Sequence, residues 1–204
     1  MRGVRREFRR LRIATALALT LAAAGCAAFG TRPPPTFDLT AATAFPRHGG
    51  PSRGQLIVGE PTALAILDSE RIVVRPAQGE LAYLGNSQWS DRLPKLLQAR
   101  IVQSFENASR LRAVGRPGDR VTADYQLVTD VRAFQVSVAD NGVFAEVEIS
   151  AKIVADRSGR IVAARVFRAT LPAASSEPPA AVAALDDAFH RVVVDLVLWA
   201  VRGV

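Results

Sequence analysis

The sequence predicts an α+β fold, a mostly antiparallel sheet with two principal amphipathic helices packed on it. Three observations carry that prediction. Val143, Ala145, Val147, Ile149, Ala151 and Ile153 alternate with Glu146, Glu148, Ser150 and Lys152, the signature of a half-buried antiparallel strand. Trp89, Leu93, Leu97, Ile101 and Phe105 recur every four residues, with Leu96 and Val102 widening the stripe into one face of a helix. A second helical stripe closes the chain: Leu185, Phe189, Val192, Val193, Leu196, Trp199 and Ala200.

The remaining elements follow in order. Phe37-Asp38-Leu39 reads as a short strand, and residues 40–54, with Pro46, Gly49, Gly50, Pro51 and Gly54, as a loop. Gln55 to Gly59 and Arg71 to Arg75 are predicted strands, joined by an irregular connection over residues 61–70. Leu81 to Leu84 is a further short strand, ended by Gly85. Asp91 or Ser90 is predicted to cap the first helix, and Pro94 suits its first turn, where most N–H groups have no intrahelical partner. Leu111 to Val114 is a short segment before the turn at Gly115-Arg116-Pro117-Gly118-Asp119. Tyr125, Leu127 and Val131 share one parity and Phe134, Val136 and Val138 the other, which predicts a bulge near Arg132. Asp156-Arg157-Ser158-Gly159 turns the chain into a strand over Ile161–Leu171, and residues 172–179 read as a loop. Asp186, Asp187, Arg191 and Asp195 fall on the solvated side of the last helix. Core is the expected place of both Trp89 and Trp199.

The first 25 residues are read as a targeting segment. Arg2, Arg5, Arg6, Arg9, Arg10 and Arg12 form a basic start, and Ile13 to Ala24 is an apolar run of twelve residues. A membrane span needs roughly 20 residues, so this run fits a signal peptide instead. Arg5-Arg6 lacks the rest of a twin-arginine motif. Ala23-Ala24-Gly25-Cys26 looks like a bacterial lipobox, with cleavage between Gly25 and Cys26 and lipidation of Cys26; Ala23 stands where leucine is usual. An ordinary signal cut would instead leave Cys26 as a stray thiol. Cys26 is the only cysteine in the chain, so it has no disulfide partner here. The expected organisation is a lipoprotein signal peptide over 1–25, a lipidated cysteine with a Pro33-Pro34-Pro35 tether over 26–36, and a domain over 37–204. Ala27, rather than aspartate, after the cysteine favours the outer membrane by the familiar sorting rule.

Charge changes meaning once the signal is set aside. The chain carries 26 basic and 19 acidic residues, +7 in all, but the signal holds six arginines against one glutamate, and the remainder is only +2. The basic balance is therefore no warrant for nucleic-acid binding. No further apolar stretch is long enough to span a bilayer.

Catalytic chemistry is hard to assemble from these residues. His48 and His190 have no carboxylate or cysteine at ligand spacing, so no metal site or cofactor is predicted. Asp186 and Asp187 point about 100° apart on a helix and do not share a site. Ser69 lacks the Gly-x-Ser-x-Gly elbow, and Gly115-Arg116-Pro117-Gly118 lacks the lysine and hydroxyl of a phosphate loop. Arg110, Arg112, Arg116 and Arg120 form a local basic cluster, read as a solvated loop ahead of an anionic contact.

Several stretches carry a family resemblance. They are Phe37-Asp38-Leu39, then residues 67–75 (LDSERIVVR), Leu81-Ala82-Tyr83-Leu84, Gln88-Trp89-Ser90-Asp91-Arg92-Leu93-Pro94, Ala123-Asp124-Tyr125-Gln126-Leu127 and Val131-Arg132-Ala133-Phe134. In order and spacing, from residue 37 to about 202, the chain resembles the auxiliary lipoproteins of ABC-type transporters, the paraquat-inducible protein C-like family. Phe37, where tyrosine is usual, and Leu84, where a second aromatic is common, depart from the pattern. The resemblance implies a non-enzymatic accessory component of an MCE-type lipid transport system, anchored at the periplasmic face of the outer membrane. It implies a periplasmic MCE-domain protein as partner, a homo-oligomeric state, and no catalytic residues. Two alternatives stay open on the residues alone: an assembly lipoprotein of a secretion system, pilotin-like, or an envelope hydrolase. A partner surface is expected in exposed apolar or arginine residues of the loops between strands.

Overall fold

The alternating run and the parity switch before it become the two longest strands. In chain order the elements are β1 (Thr36–Phe37), β2 (Gln55–Val58), β3 (Thr62–Ala63), β4 (Arg71–Arg75), β5 (Ala82–Trp89), α1 (Leu93–Ala108), β6 (Ala113–Gly115), β7 (Tyr125–Ala139), β8 (Gly142–Ala155), β9 (Arg160–Ala173) and α2 (Pro178–Gly203). The computed structural model describes residues 33–46, 54–120 and 122–204; the predicted signal peptide, Gly25, Cys26 and His48 lie outside the described residues.

All nine strands join one sheet, and β7 is its spine. Along one margin β7 pairs antiparallel with β8, and β8 in turn with β9. Along its other margin β2, β3 and β4 follow one another end to end, each parallel to β7. β6 extends β2, β5 pairs antiparallel with β4, and β1 lies parallel to β5. The parallel ladders are two or three residues each, whereas β7–β8 and β8–β9 run almost the whole length of their strands. The sheet is mostly antiparallel, and the fold is α+β as predicted.

The predicted bulge is present. The β7–β8 register shifts between Val131 and Ala133. Before it, Leu127 and Val131 face Ile153 and Ile149; after it, Phe134 and Val136 face Val147 and Ala145. One extra residue, Arg132, thus restores apolar side chains to the buried face after the parity change. Gly159 closes the β8–β9 turn with φ +66°, its N–H donating to the Ala155 carbonyl at 2.9 Å.

Both helices lie on that buried face. α1 inserts Leu93, Leu97, Ile101 and Phe105, and α2 inserts Leu185, Phe189, Val193 and Leu196. Trp89, Phe134 and Phe189 stack in series, with ring centroids 5.8 and 6.2 Å apart, joining β5, β7 and α2. Replacing Leu97 with alanine is expected to cost about 2–5 kcal/mol, read as a fall in the urea midpoint at unchanged m-value. A cost below about 0.5 kcal/mol would mean that α1 turns another face inward.

Four expectations are corrected. Trp89, predicted to open the helical stripe, is the last residue of β5, because Phe37 pairs beside it across the sheet. β5 does not stop at Gly85 but continues to Trp89, bending at Asn86, where φ is +49°. Neither Ser90 nor Asp91 caps α1: the N-cap is Arg92, with no side-chain cap. Asp91 instead accepts the Arg92 N–H at 2.8 Å and pairs with Lys95 at 2.7 Å, one turn on. Trp199 is half-buried rather than core, edge-on to Phe167 at 5.4 Å. In addition, β9 runs to Ala173, so the predicted loop shrinks to residues 174–177.

Candidate functional site: the anchor junction

The residues that leave the proline tether are tied to the domain over their whole described length. Pro35 accepts a hydrogen bond from the Gln88 N–H at 3.1 Å, and Phe37 one from the Ser90 N–H at 2.7 Å. Asp38 follows. Its carboxylate accepts the Leu39 N–H at 2.8 Å and the Ser90 hydroxyl at 3.3 Å, and it pairs with Arg100 of α1. Leu39 and Ala42 are buried at 2% and 0% exposure, so this is a strap pressed into the core and not a loop lying over it.

Polar groups then fix the strap to both helices. The Ala42 N–H donates to Ser104 Oγ at 3.0 Å, and Asn107 Nδ2 donates to the Ala42 carbonyl at 2.9 Å. Thr40 donates twice to Asp186 of α2, from its N–H and its hydroxyl, both at 2.7 Å. Arg110, from the predicted basic cluster, donates to the Pro46 carbonyl. Arg92 forks between Asp68 and Glu60 beneath the start of α1.

Two testable consequences follow. Ser104 is fully buried, and its hydroxyl also donates to the Arg100 carbonyl at 2.6 Å. Ser104→Ala strands the Ala42 N–H in the core and is expected to cost about 1–3 kcal/mol in denaturant unfolding. Hydrogen bonding from Arg100 is the main force holding the Asp38 carboxyl below its ordinary 3.8, against partial desolvation. The unfolded chain restores the ordinary value, so this stabilisation is complete above pH 3.8 and fades as pH falls through the lower folded value. Asp38 is half exposed, which keeps its effect below about 1 kcal/mol. Asp38→Asn should lower the melting midpoint slightly at neutral pH, and the gap to the parent should narrow as pH falls below 3.8.

The residues singled out for chemistry are not brought together. Ser69 uses its hydroxyl to accept the Arg71 N–H at 3.2 Å within a local turn, and its carbonyl to accept the Leu93 N–H at 3.0 Å at the start of α1. Asp187 is exposed, while Asp186, read as solvated, proves to be the clasp for Thr40. His190 is half-buried on α2. Arg112, Arg116 and Arg120 are exposed, and the Arg116 N–H closes its turn onto Asp119 at 2.6 Å. A groove of about 380 Å³ between α1 and this turn mixes both signs of charge, with Arg100 and Arg116 against Glu106 and Asp119. The described residues hold no group of three His, Cys, Asp or Glu able to bind a metal, and no described helix is long and apolar enough to cross a membrane. The strap residues Thr40, Ser104 and Asn107 were missed from sequence. Ser104 offered one signal, a polar residue on an otherwise apolar helical face.

Among the described residues, the polar contacts of the strap that follows Pro35 reach both helices of this α+β domain. The chain belongs to the ABC-type transport auxiliary lipoprotein component family, whose model matches residues 37–197. The family is described as an auxiliary lipoprotein component of ABC-type transport. Among curated relatives, an uncharacterized protein of Bradyrhizobium diazoefficiens, bll6063, is 38% identical over 173 residues. That match takes in 83% of this chain but 45% of the relative, so the chain spans less than half of that protein's length. The crystal structure of XCC0632 from Xanthomonas campestris superposes with a TM-score of 0.77 at 30% identity, covering 83% of this chain and 96% of that one. CT253 from Chlamydia trachomatis, at 8% identity and a TM-score of 0.51 over 74% of this chain and 98% of its own, shares the fold alone.

Proposed function

We propose that this protein is a lipoprotein anchored through Cys26 at the periplasmic face of the outer membrane, where it serves an MCE-type intermembrane lipid transport system without itself catalysing a reaction. Its partner in this reading is a periplasmic MCE-domain protein, and it works as a homo-oligomer. The observation that carries the reading is the family match, which extends from the first strand to the last helix. The anchor junction supports it, because the strap that follows Pro35 is secured to both helices by its own hydrogen bonds. The fused Pro33-Pro34-Pro35 segment favours extended polyproline II, a semi-rigid spacer of about 3.1 Å per residue.

The test is binding of the acylated protein to the MCE-domain protein encoded in the same genome, with light scattering for its oligomeric state. A complex, together with increased outer-membrane permeability on deletion, supports the reading. A monomer that binds no MCE-domain protein and whose deletion leaves permeability unchanged refutes it and favours an assembly lipoprotein.

A further inference from the structure

Strand β9 ends the sheet on one side. It is 14 residues long and hydrogen-bonded along one margin only, to β8. Among the described residues nothing pairs with the other margin. Its N–H and C=O groups there form a template for a further strand. Natural edge strands of this length are usually blunted by proline, by bulges or by inward charges. Here the one proline, Pro172, stands near the strand's end, and the one register shift against β8, between Ile153 and Val154, leaves Val162 unpaired near its start. From Ala163 to Ala173 the strand runs in unbroken register, and Ile161 and Val166 are 56% and 42% exposed. β-Branched residues of this kind favour extended pairing.

The charge on this edge has one sign. β9 carries Arg160, Arg165 and Arg168 and no carboxylate. Arg168 is neutralised by Glu148 at 2.6 Å. Arg165 lies over the Phe167 ring at 5.0 Å, and neither it nor Arg160 has an ion-pair partner among the described residues. Lys152, beside Ala164 on the neighbouring strand, and Arg157, in the turn, are also exposed and without an ion pair there. The nearest carboxylate of the turn, Asp156, is held by Gln126 Nε2 at 2.6 Å. A second copy of the chain pairing through the same edge would add arginines to arginines, so charge disfavours it as the occupant. An extended segment with acidic side chains satisfies both the backbone template and the unpaired cations.

We infer that the free edge of β9 is a docking site for an extended acidic segment of a partner protein, which joins the sheet as an added strand. The inference rests on the reading above only in assigning that segment to a transport partner. It also moves the partner surface from the loops between strands, where the sequence placed it, to a strand edge.

The experiment uses the full acylated chain in detergent, with ten-residue alternating Val-Glu and Val-Lys peptides as probes. Binding is read by fluorescence anisotropy, and amide hydrogen exchange is followed along residues 160–171. The Val-Glu peptide is expected to bind at least about tenfold more tightly than Val-Lys, to weaken as salt rises, and to slow exchange on β9. Arg160→Glu/Arg165→Glu should reverse the preference. Lys152→Glu/Arg160→Glu, which touches no aromatic ring, should do the same should the first variant melt early. Equal binding of the two peptides, no protection on β9, or an unchanged preference in a folded variant overturns the inference. So does binding to phosphatidylglycerol vesicles in place of either peptide, which would make this edge a membrane contact. An MCE-domain protein that binds parent and variants alike without protecting β9 refutes the edge and leaves the functional reading standing. Peptide docking on β9 with no binding of an MCE-domain protein does the reverse.

Discussion

Phe134→Ala is expected to destabilise the domain by about 3–5 kcal/mol, the range for truncating a fully buried aromatic ring. The ring is 1% exposed and sits between Trp89 and Phe189, so its removal breaks two aromatic contacts at once. Each such contact adds about 0.5–1.5 kcal/mol to the burial term. The surroundings have little freedom to close the cavity. Phe134 follows directly on the bulge, and its strand is fixed by the long β8 ladder on one side and by β4 on the other. Trp89 is likewise held by β1, and its N–H donates to the Glu70 carbonyl at 2.7 Å. Chemical denaturation of the parent and variant, at matched m-values, gives the number. Val166→Ala, on the exposed edge strand, is the control and should change stability by less than about 0.5 kcal/mol. Similar losses in the two variants would mean that the ring stack is not the centre of the core.

The parts of this fold that were legible in the sequence are those whose pattern is local. Alternation along β8 names its own buried face, and the change of parity between Val131 and Phe134 has no economical explanation besides an extra residue. The stripe of α2 was equally clear. Trp89 departs from its local pattern. Its spacing of four to Leu93 agrees with a helix, but pairing with Phe37, more than fifty residues earlier in the chain, holds it in a strand. β5 was cut short for a related reason: Gly85, Asn86, Ser87 and Gln88 carry no apolar alternation, and the strand resumes only where Gln88 pairs with Thr36 on one side and Arg71 on the other. The end-to-end pairing of β2, β3 and β4 along β7 has no sequence signal, since a parallel partner leaves no turn between the strands. The anchor junction was hidden more completely. Thr40 and Asp186 are separated by 146 positions and Ala42 and Ser104 by 62, and neither contact follows from composition or period. Partnerless polar residues at apolar positions, such as Ser104 and Gln98, were the available hint. Gln98 Nε2 proves to donate to the Val58 carbonyl at 2.9 Å.

Cys26→Ser is expected to move the protein from the membrane fraction to the soluble fraction and to abolish labelling by a palmitate analogue. In the reading proposed above the lipid supplies the attachment, and no described helix is long and apolar enough to cross a bilayer. Each acyl CH₂ buried in the membrane contributes about 0.8 kcal/mol, and one chain alone binds only marginally. The two or three chains of a processed lipoprotein leave essentially no free pool, so the effect of the substitution should be close to all or none. The fold should survive it: the strap from Pro35 onward is secured by its own contacts to Gln88, Ser90, Ser104 and Asp186, none of which involves the lipid. Melting temperatures of the parent and Cys26→Ser proteins should therefore agree within error. Asp38→Asn and Ser104→Ala give the complementary result, staying with the membrane while their straps loosen, which hydrogen exchange over residues 36–44 would report. A Cys26→Ser protein that still sediments with membranes in the absence of detergent would refute the lipid anchor and assign the attachment to the folded domain, with the basic edge at Lys152, Arg157 and Arg160 as the first surface to test.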